Sequence, residues 1–297
     1  MRPAWLTARL REIGARWQQD IRAASDETKA LYAPLLAAAP RDSVRVIRDI
    51  AYGTHARQVL DIYAPAAAER APVIAFLHGG AFVRGAKDIN DAMYGNVLTW
   101  FARQGFVGVN IEYRLAPGAR HPAGAIDAGL ACRWIASHIA PFGGNPTNIA
   151  LVGHSAGGTH AAALACDPDA SIRAVEPAGL RCLVLISARL RVDALAENPN
   201  AEGVRAYFGD DTDRYAARSP VMHAARLGLP VLIVNAQYEN PLLDLYGLEF
   251  ALAVGRSRQA APMHVALADH NHMSIVAHFN TPEQALGEAI VAFVERA

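Results

Sequence analysis

Apolar residues recur every three or four positions near the start of the chain. Leu6, Leu10, Ile13, Trp17 and Ile21 form this pattern, and the residues between them are mostly Arg, Glu, Gln and Asp. In an α-helix, this spacing places the apolar side chains along one side. The pattern predicts an amphipathic helix that packs on the body of the protein. The alternative is that the helix forms part of a lid. A membrane-surface role is disfavoured because the polar side of the helix is not predominantly basic.

From residue 43 onward, short β-rich segments alternate with longer helical ones, which is typical of βαβ units around a mostly parallel sheet. Two fully apolar runs, at 72–77 and 231–234, fit central strands that are buried on both faces. The pattern predicts strands near 43–51, 58–64, 72–78, 106–112, 148–154, 181–187, 230–236 and 263–268. It predicts helices near 89–104, 122–139, 156–166, 241–255 and 282–295.

This change of pattern divides the chain into a helical segment over 1–42 and one domain over 43–297. We expect the domain to be of the α/β class, with an eight-stranded, mostly parallel sheet flanked by helices. The stretch 190–222 is the least regular, because it is rich in Asn, Asp, Gly and Arg. The sequence therefore offers two candidates for a lid, the segment 1–42 and the stretch 190–222.

Charge and cysteine content restrict the function classes. The chain has 28 basic and 28 acidic residues and no long run of one sign, so a nucleic-acid partner is not expected. Cys132, Cys166 and Cys182 lie in apolar settings without metal-type spacing, which predicts buried free thiols in a reducing compartment. No continuous hydrophobic segment suits a signal peptide or a membrane span. We therefore expect a cytoplasmic protein that does not cross a membrane.

A serine stands in a glycine-rich turn between a predicted strand and a predicted helix. The turn is Gly153-His-Ser-Ala-Gly157, which follows the strand residues 148–152 and precedes helix-favouring residues at 158–165. This context is that of a nucleophile elbow, in which a tight turn exposes the serine hydroxyl at the carboxyl edge of the sheet. An ordinary tight turn is the alternative. We predict that Ser155 is a catalytic nucleophile.

A second glycine-rich loop, His78-Gly-Gly-Ala-Phe82, directly follows the apolar strand that ends at Leu77. Acyl transfer develops negative charge on a carbonyl oxygen, and each preorganised N–H donor stabilises that charge by about 3–4 kcal/mol. We expect an oxyanion hole made by the backbone amides of Gly79 and Gly80 from this loop and of Ala156, which follows the serine.

A serine hydroxyl needs a general base, and in enzymes built on such an elbow an acid and then a histidine follow the nucleophile. His264 lies inside the predicted last strand, and His223 precedes the strand that should come before the acid. The candidates that remain, His270 and His272, lie in a polar loop just past the last strand. Either could be the base. A metal site on this pair is disfavoured, because no matching ligand set occurs elsewhere at suitable spacing.

The acid should lie just after the strand near 230–236. The loop that follows offers Glu239 and Asp244. Glu239 comes immediately off the strand, where a carboxylate can reach the histidine, whereas Asp244 falls a turn into the following helix. We favour Glu239 and keep Asp244 as the alternative.

These motifs resemble the α/β-hydrolase esterases of the hormone-sensitive-lipase-like group and the related kynurenine formamidase-like and BD-FAE-like hydrolases. The resemblance runs from about residue 58 to the C-terminus. It is carried by Leu60-Asp-Ile-Tyr-Ala-Pro65, His78-Gly-Gly-Ala-Phe82, Tyr113-Arg-Leu-Ala-Pro117, His121-Pro-Ala-Gly with Asp127 following, and Gly153-His-Ser-Ala-Gly-Gly158. It implies an α/β-hydrolase fold in which Arg114 and Asp127 support the site without touching substrate.

The resemblance also bears on the acid and the base. Formamidase-like enzymes carry the base on the second histidine of a motif similar to His270-Asn-His272, which implies His272. Their acid lies two residues before a proline, which maps onto Glu239. In the hormone-sensitive-lipase-like group the acid directly precedes a Pro-Leu pair, and here that position is Asn240.

We therefore expect a serine carboxylesterase that hydrolyses short- to medium-chain carboxylic esters through an acyl-enzyme intermediate and needs no cofactor. Its expected partner is a small-molecule ester. An arylformamide such as N-formylkynurenine is the alternative substrate. A ligand-binding homologue without catalysis is the alternative from a different class.

Overall fold

The described residues, 2–90 and 92–297, form one sheet of eight strands in this computed structural model. The strands are β1 (Val44–Ala51), β2 (Val59–Pro65), β3 (Ala71–Leu77), β4 (Val107–Ile111), β5 (Gly144–His154), β6 (Leu180–Ile186), β7 (Val231–Tyr238) and β8 (Met263–Asn271). Across the sheet they follow the order β1-β2-β4-β3-β5-β6-β7-β8. β2 is antiparallel to β1 and β4, and the other neighbouring pairs are parallel. The mostly parallel sheet predicted from the sequence is confirmed.

Helices cover both faces of this sheet. Within the described ranges they are α1 (Ala4–Ala15), α2 (Ile21–Ala37), α3 (Gly95–Arg103), α4 (Ala123–His138), α5 (Ala156–Cys166), α6 (Ala170–Arg173), α7 (Ala201–Phe208), α8 (Pro220–His223), α9 (Leu243–Arg258), α10 (Ser274–Ala277) and α11 (Ala285–Arg296). On one face, α4, α5 and α9 share an apolar core with Val73 and Ala75 of β3. On the other, α1, α2, α3 and α11 share a core with Ile74 and Phe76. Because successive side chains of a strand point to opposite faces, one apolar strand contributes to both cores.

The central strands bring two loops to the same edge of the sheet. In the parallel pairing of β3 with β5, Leu77 lies opposite Gly153. The loop that begins at His78 therefore lies beside the turn that carries Ser155. This register places the two glycine-rich motifs next to each other.

The periodic pattern through Ile21 is divided between two helices rather than forming one. α1 ends at Ala15, and Asp20 is the N-cap of α2. The Asp20 carboxylate accepts a hydrogen bond from the Ala23 amide at 2.9 Å, which favours a helix start at that point. The apolar residues predicted before Ile21 are buried.

Two further predictions differ in detail from the structure. α3 begins at Gly95, later than the predicted start near residue 89, because Tyr94 has a φ of 72° and cannot belong to the helix. The irregular stretch 190–222 contains α7 and α8, so it is more ordered than its composition indicates.

Apolar packing also explains the cysteines. Cys132, Cys166 and Cys182 are buried free thiols, as predicted, and burial raises the pKa of each to about 12. No helix among residues 2–90 and 92–297 combines the length and the apolar character needed to cross a bilayer.

A fully buried carboxylate, Asp127, supports the fold behind the site. Its oxygens accept hydrogen bonds from the Gln58 side chain at 2.8 Å and from the Arg114 amide at 2.9 Å. The Arg114 guanidinium also pairs with the carboxylate, with its Nη2 atom 2.8 Å from Asp127 Oδ1. A buried charge is tolerated when each oxygen is paired in this way.

We predict that Asp127→Asn lowers the free energy of unfolding by about 2–3 kcal/mol, because the amide group faces donors and leaves Arg114 without its charge partner. Urea unfolding followed by circular dichroism measures the change. Asp244→Asn is the matched control, because Asp244 is exposed, and it should cost less than about 0.5 kcal/mol. Equal stability of the two variants would show that the Asp127 network does not support the fold.

Candidate active site

Ser155 lies in the tight turn between β5 and α5. Its φ of 55° and ψ of −119° lie in a strained region that a non-glycine residue rarely adopts. A Cβ at position 153 would lie 2.5 Å from the Gly157 carbonyl oxygen, so only glycine allows the turn to close this tightly. The Ser155 amide donates to the Ile186 carbonyl at 2.9 Å, which fixes the turn to the neighbouring strand.

The three residues selected as nucleophile, base and acid come together at the carboxyl ends of β5, β8 and β7. The His272 Nε2 atom lies 3.0 Å from Ser155 Oγ. On the other side of the ring, Nδ1 lies 2.8 Å from Glu239 Oε2. His272 and Glu239 are each only 5% exposed, so water competes little for these hydrogen bonds.

The hydrogen bonds of Glu239 determine which tautomer of His272 is present. Glu239 Oε1 accepts from the Ala236 amide at 2.9 Å and from the Ser187 hydroxyl, which leaves Oε2 for His272. A carboxylate only accepts, so His272 Nδ1 must donate to it. Nε2 of the neutral ring is then an acceptor and can receive the proton of Ser155.

The alternatives for the acid and the base have other surroundings. Asp244 is exposed in the first turn of α9. The ring nitrogens of His270 lie 3.0 Å from Ser274 Oγ and 3.0 Å from Glu283 Oε1. His270 and His272 therefore have separate partners, and their rings do not converge on one ligand.

The predicted role of Gly79 in an oxyanion hole is not supported. Its amide donates to Tyr94 Oη at 3.1 Å, so this N–H is already engaged inside the protein. The amides of Gly80, Ala81 and Ala156 donate to no group among the described residues. Gly80 and Ala81 line the cavity beside Ser155, which makes Ala81 a candidate that the sequence analysis missed.

Tyr94 links the glycine loop to the loop of the base. Tyr94 Oη lies 3.0 Å from His154 Nδ1, and His154 Nε2 lies 2.9 Å from the His272 carbonyl oxygen. A carbonyl only accepts, so Nε2 donates and Nδ1 receives the Tyr94 hydroxyl. Burial lowers the pKa of His154 well below its ordinary value, in agreement with a neutral ring. No sequence motif pointed to Tyr94, and sequence reasoning assigned His154, the residue before Ser155, no role of its own.

A cavity of about 690 Å³ opens onto Ser155 and His272. Both lid candidates contribute to its wall. From α2 the lining residues are Ile21, Arg22, Ser25, Asp26 and Lys29, and from the stretch 190–222 they are Pro199 and Asn200. Two of the charged groups pair with each other, since Lys29 Nζ lies 2.7 Å from the Asp26 carboxylate.

Part of the chain matches a known family. Residues 60–173 match the BD-FAE family model. This region includes the glycine loop and Ser155, and it ends before Glu239 and His272. The residues predicted to be the acid and the base therefore lie outside the match.

Two similar proteins of known sequence are esterases by name. Esterase LipC from Mycobacterium tuberculosis is 38% identical over 120 residues, which cover 40% of this chain and 29% of LipC. Carboxylesterase NlhH from the same organism is 37% identical over 106 residues, which cover 34% of this chain and 31% of NlhH. The match thus spans less than a third of either relative.

Solved structures match almost the whole chain. A hyperthermophilic esterase from the archaeon Pyrobaculum calidifontis superposes with a TM-score of 0.72 at 21% identity, over 99% of this chain and 98% of that one. An inhibited form of Esterase B from Lactobacillus rhamnosis gives a TM-score of 0.74 at 20% identity, over 97% of each chain. The chain therefore has the α/β-hydrolase fold.

We predict that Ser155 reacts with a fluorophosphonate probe and that Ser155→Ala abolishes the label. His272→Ala should slow labelling at least about 10³-fold, because the serine then has no base. His270→Gln is the control for a histidine in the same loop and should change the rate less than tenfold. Intact-mass spectrometry over time measures each rate. Rapid labelling of His272→Ala, with loss of labelling in a folded His270→Gln protein, would assign the base to His270.

Proposed function

We propose that this protein is a serine carboxylesterase that hydrolyses short- to medium-chain carboxylic esters. The observation that carries the proposal is the chain of hydrogen bonds from Glu239 through His272 to Ser155, which opens onto the cavity. The esterase names of the sequence relatives and of the structural neighbours support the same activity.

The reaction follows from the direction of these hydrogen bonds. Ser155 Oγ bonds to the ester carbonyl carbon while its proton passes to His272 Nε2. Glu239 stabilises the imidazolium that forms. When the tetrahedral intermediate collapses, the bond to the alcohol oxygen breaks and His272 returns the proton to the leaving alcohol. Water then attacks the acyl-enzyme with His272 as base, which releases the carboxylic acid and restores Ser155.

The oxyanion is stabilised by backbone amides that are in place before the reaction. We assign this role to the amides of Gly80, Ala81 and Ala156. Ala81 replaces Gly79 in this set. Ala156 begins α5, so the positive end of the helix dipole also faces the developing charge. Gly79 instead supports the loop through its hydrogen bond to Tyr94.

The cavity supports a small substrate. Its volume of about 690 Å³ lies within the range of small-molecule sites. We propose that the segment 1–42 forms a lid over the catalytic domain 43–297, with Pro199 and Asn200 completing the wall. The three buried thiols support a reducing compartment, so cytoplasmic location is part of this proposal.

The first test is a graded series of p-nitrophenyl esters, with N-formylkynurenine as the competing substrate. We expect kcat/KM to be highest for acyl chains of short to medium length, because the cavity limits the acyl group. The matched control is the Ser155→Ala protein, which should not turn over any of them. A higher kcat/KM on N-formylkynurenine than on every ester would replace the proposed esterase with an arylformamidase.

The second test concerns the acid. Glu239→Gln keeps the shape of the side chain but removes its charge, and its amide group can hold His272 in the wrong tautomer. We expect kcat to fall roughly 10²–10⁴-fold on the best ester of the series. Asp244→Asn removes a carboxylate of the same region that is exposed, and it should stay within about tenfold of the unmodified protein. Normal turnover of Glu239→Gln together with loss of turnover in Asp244→Asn would make Asp244 the acid.

A further inference from the structure

The two residues next to the proposed acid and base are both bound by the N-terminal helical segment. Asn240 follows Glu239, and its Oδ1 atom accepts a hydrogen bond from Trp17 Nε1 at 3.1 Å. Asn271 precedes His272, and its Nδ2 atom donates to Thr28 Oγ1 at 2.9 Å. The side chains of Trp17, Thr28, Asn240 and Asn271 are all buried. The same segment thus holds both loops of the site.

Each of these hydrogen bonds has only one possible direction. An indole N–H only donates, so the Asn240 amide must turn its oxygen toward Trp17. The Thr28 hydroxyl donates to the Ala24 carbonyl at 2.7 Å, so its oxygen is the acceptor for Asn271. The two contacts therefore orient the asparagine side chains uniquely.

Asn271 passes this constraint to the turn that carries His272. While Nδ2 donates to Thr28, Oδ1 accepts from the amides of Met273 and Ser274 at 3.0 and 2.9 Å. These hydrogen bonds join the residue before His272 to the two residues that follow it. A change at Thr28 would therefore affect the position of His272 through the buried Asn271 side chain.

α1 and Arg2, which precedes it, contact the ends of β7 and β8. Arg2 and Arg11 lie 3.0 and 2.7 Å from the Asp269 carboxylate at the end of β8. A Cβ at Gly14 would lie 2.1 Å from the ring of Tyr238, the residue before Glu239. Glycine at this position thus lets α1 approach the acid loop closely.

We propose that Trp17 and Thr28 are positioning residues for Glu239 and His272, so that the N-terminal helical segment acts on the chemical step as well as covering the cavity. This inference rests on the proposed function. A shift of about 1 Å in a catalytic group can lower the rate about 10²-fold. Asparagine at position 240 suits this role, because a second carboxylate beside Glu239 would disfavour the negative charge that His272 requires.

The first experiment replaces Thr28. Thr28→Val removes the oxygen that Asn271 needs, whereas Thr28→Ser keeps it. Thr99→Val is the matched control, because Thr99 is also buried in a helix and donates to the carbonyl four residues earlier at 2.8 Å. We expect Thr28→Val to lower kcat and the rate of fluorophosphonate labelling about five- to fiftyfold with KM within twofold. Thr28→Ser should restore both rates, and Thr99→Val should keep them within twofold.

The second experiment replaces Trp17. Trp17→Phe removes the indole donor, and Trp100→Phe is the control for shortening another buried tryptophan. We expect kcat to fall in Trp17→Phe and to stay unchanged in Trp100→Phe. If Trp17 acts through Asn240, the double variant that combines Trp17→Phe with Asn240→Leu should have a kcat no lower than that of the slower single variant. Thermal unfolding of every protein separates this effect from a general loss of stability.

These experiments test the positioning role separately from the proposed esterase activity. Rates of Thr28→Val and Trp17→Phe that stay within twofold of their controls would overturn the positioning role. A rise in KM with unchanged kcat would overturn it as well, because it would make the helices only a wall of the cavity. Failure of the unmodified protein to hydrolyse any ester would instead overturn the proposed function, and the labelling rate would still decide how Ser155 depends on Trp17 and Thr28.

Discussion

The hydrogen bond between Glu239 and His272 is the contact on which the proposed site depends. It joins a carboxylate that can only accept to a ring nitrogen that must then donate. This direction leaves the opposite nitrogen free to accept a proton from Ser155. Without it, a neutral imidazole could adopt either tautomer, and one of them cannot activate a serine. The rest of the structure keeps these groups at the required distance.

Three strands and two helices provide that geometry. Ser155, Glu239 and His272 are the proposed nucleophile, acid and base. They follow the carboxyl ends of β5, β7 and β8, where parallel pairing brings their loops to one edge. The backbone at Tyr238 accepts from the His272 amide at 3.1 Å, so the acid and base loops are joined directly. We propose that Trp17, in the turn between α1 and α2, and Thr28 of α2 hold the same loops from outside. The proposed lid and the proposed catalytic groups would then form one packed unit.

Much of the fold could be predicted because its signals are local. Apolar runs such as 72–77 and turn residues such as the glycines around Ser155 act over a few positions, and the strands lie close to their predicted bounds. The break between α1 and α2 was missed, since periodicity continues across Asp20 although its side chain starts a new helix. The late start of α3 was missed because the conformation of Tyr94 depends on the site around it.

The site could be predicted only where a motif marks it. Ser155 and the loop at His78 carry such motifs, whereas the choice of His272 over His270 required a family resemblance. Contacts between distant parts of the chain left no signal. Trp17 and Asn240 are 223 positions apart, and Ser187 and Glu239 are 52 apart. The partner of the Gly79 amide, from which we propose Ala81 in place of Gly79, is likewise a side chain from another element.

The tautomer of His272 in the resting protein tests the role of Glu239. Long-range ¹H–¹⁵N NMR spectra of protein with labelled histidine distinguish a proton on Nδ1 from a proton on Nε2, and a His272→Gln spectrum assigns the signals. We predict that neutral His272 carries its proton on Nδ1, facing Glu239. A proton on Nε2 would contradict it, because the ring would then donate toward Ser155 and could not accept its proton.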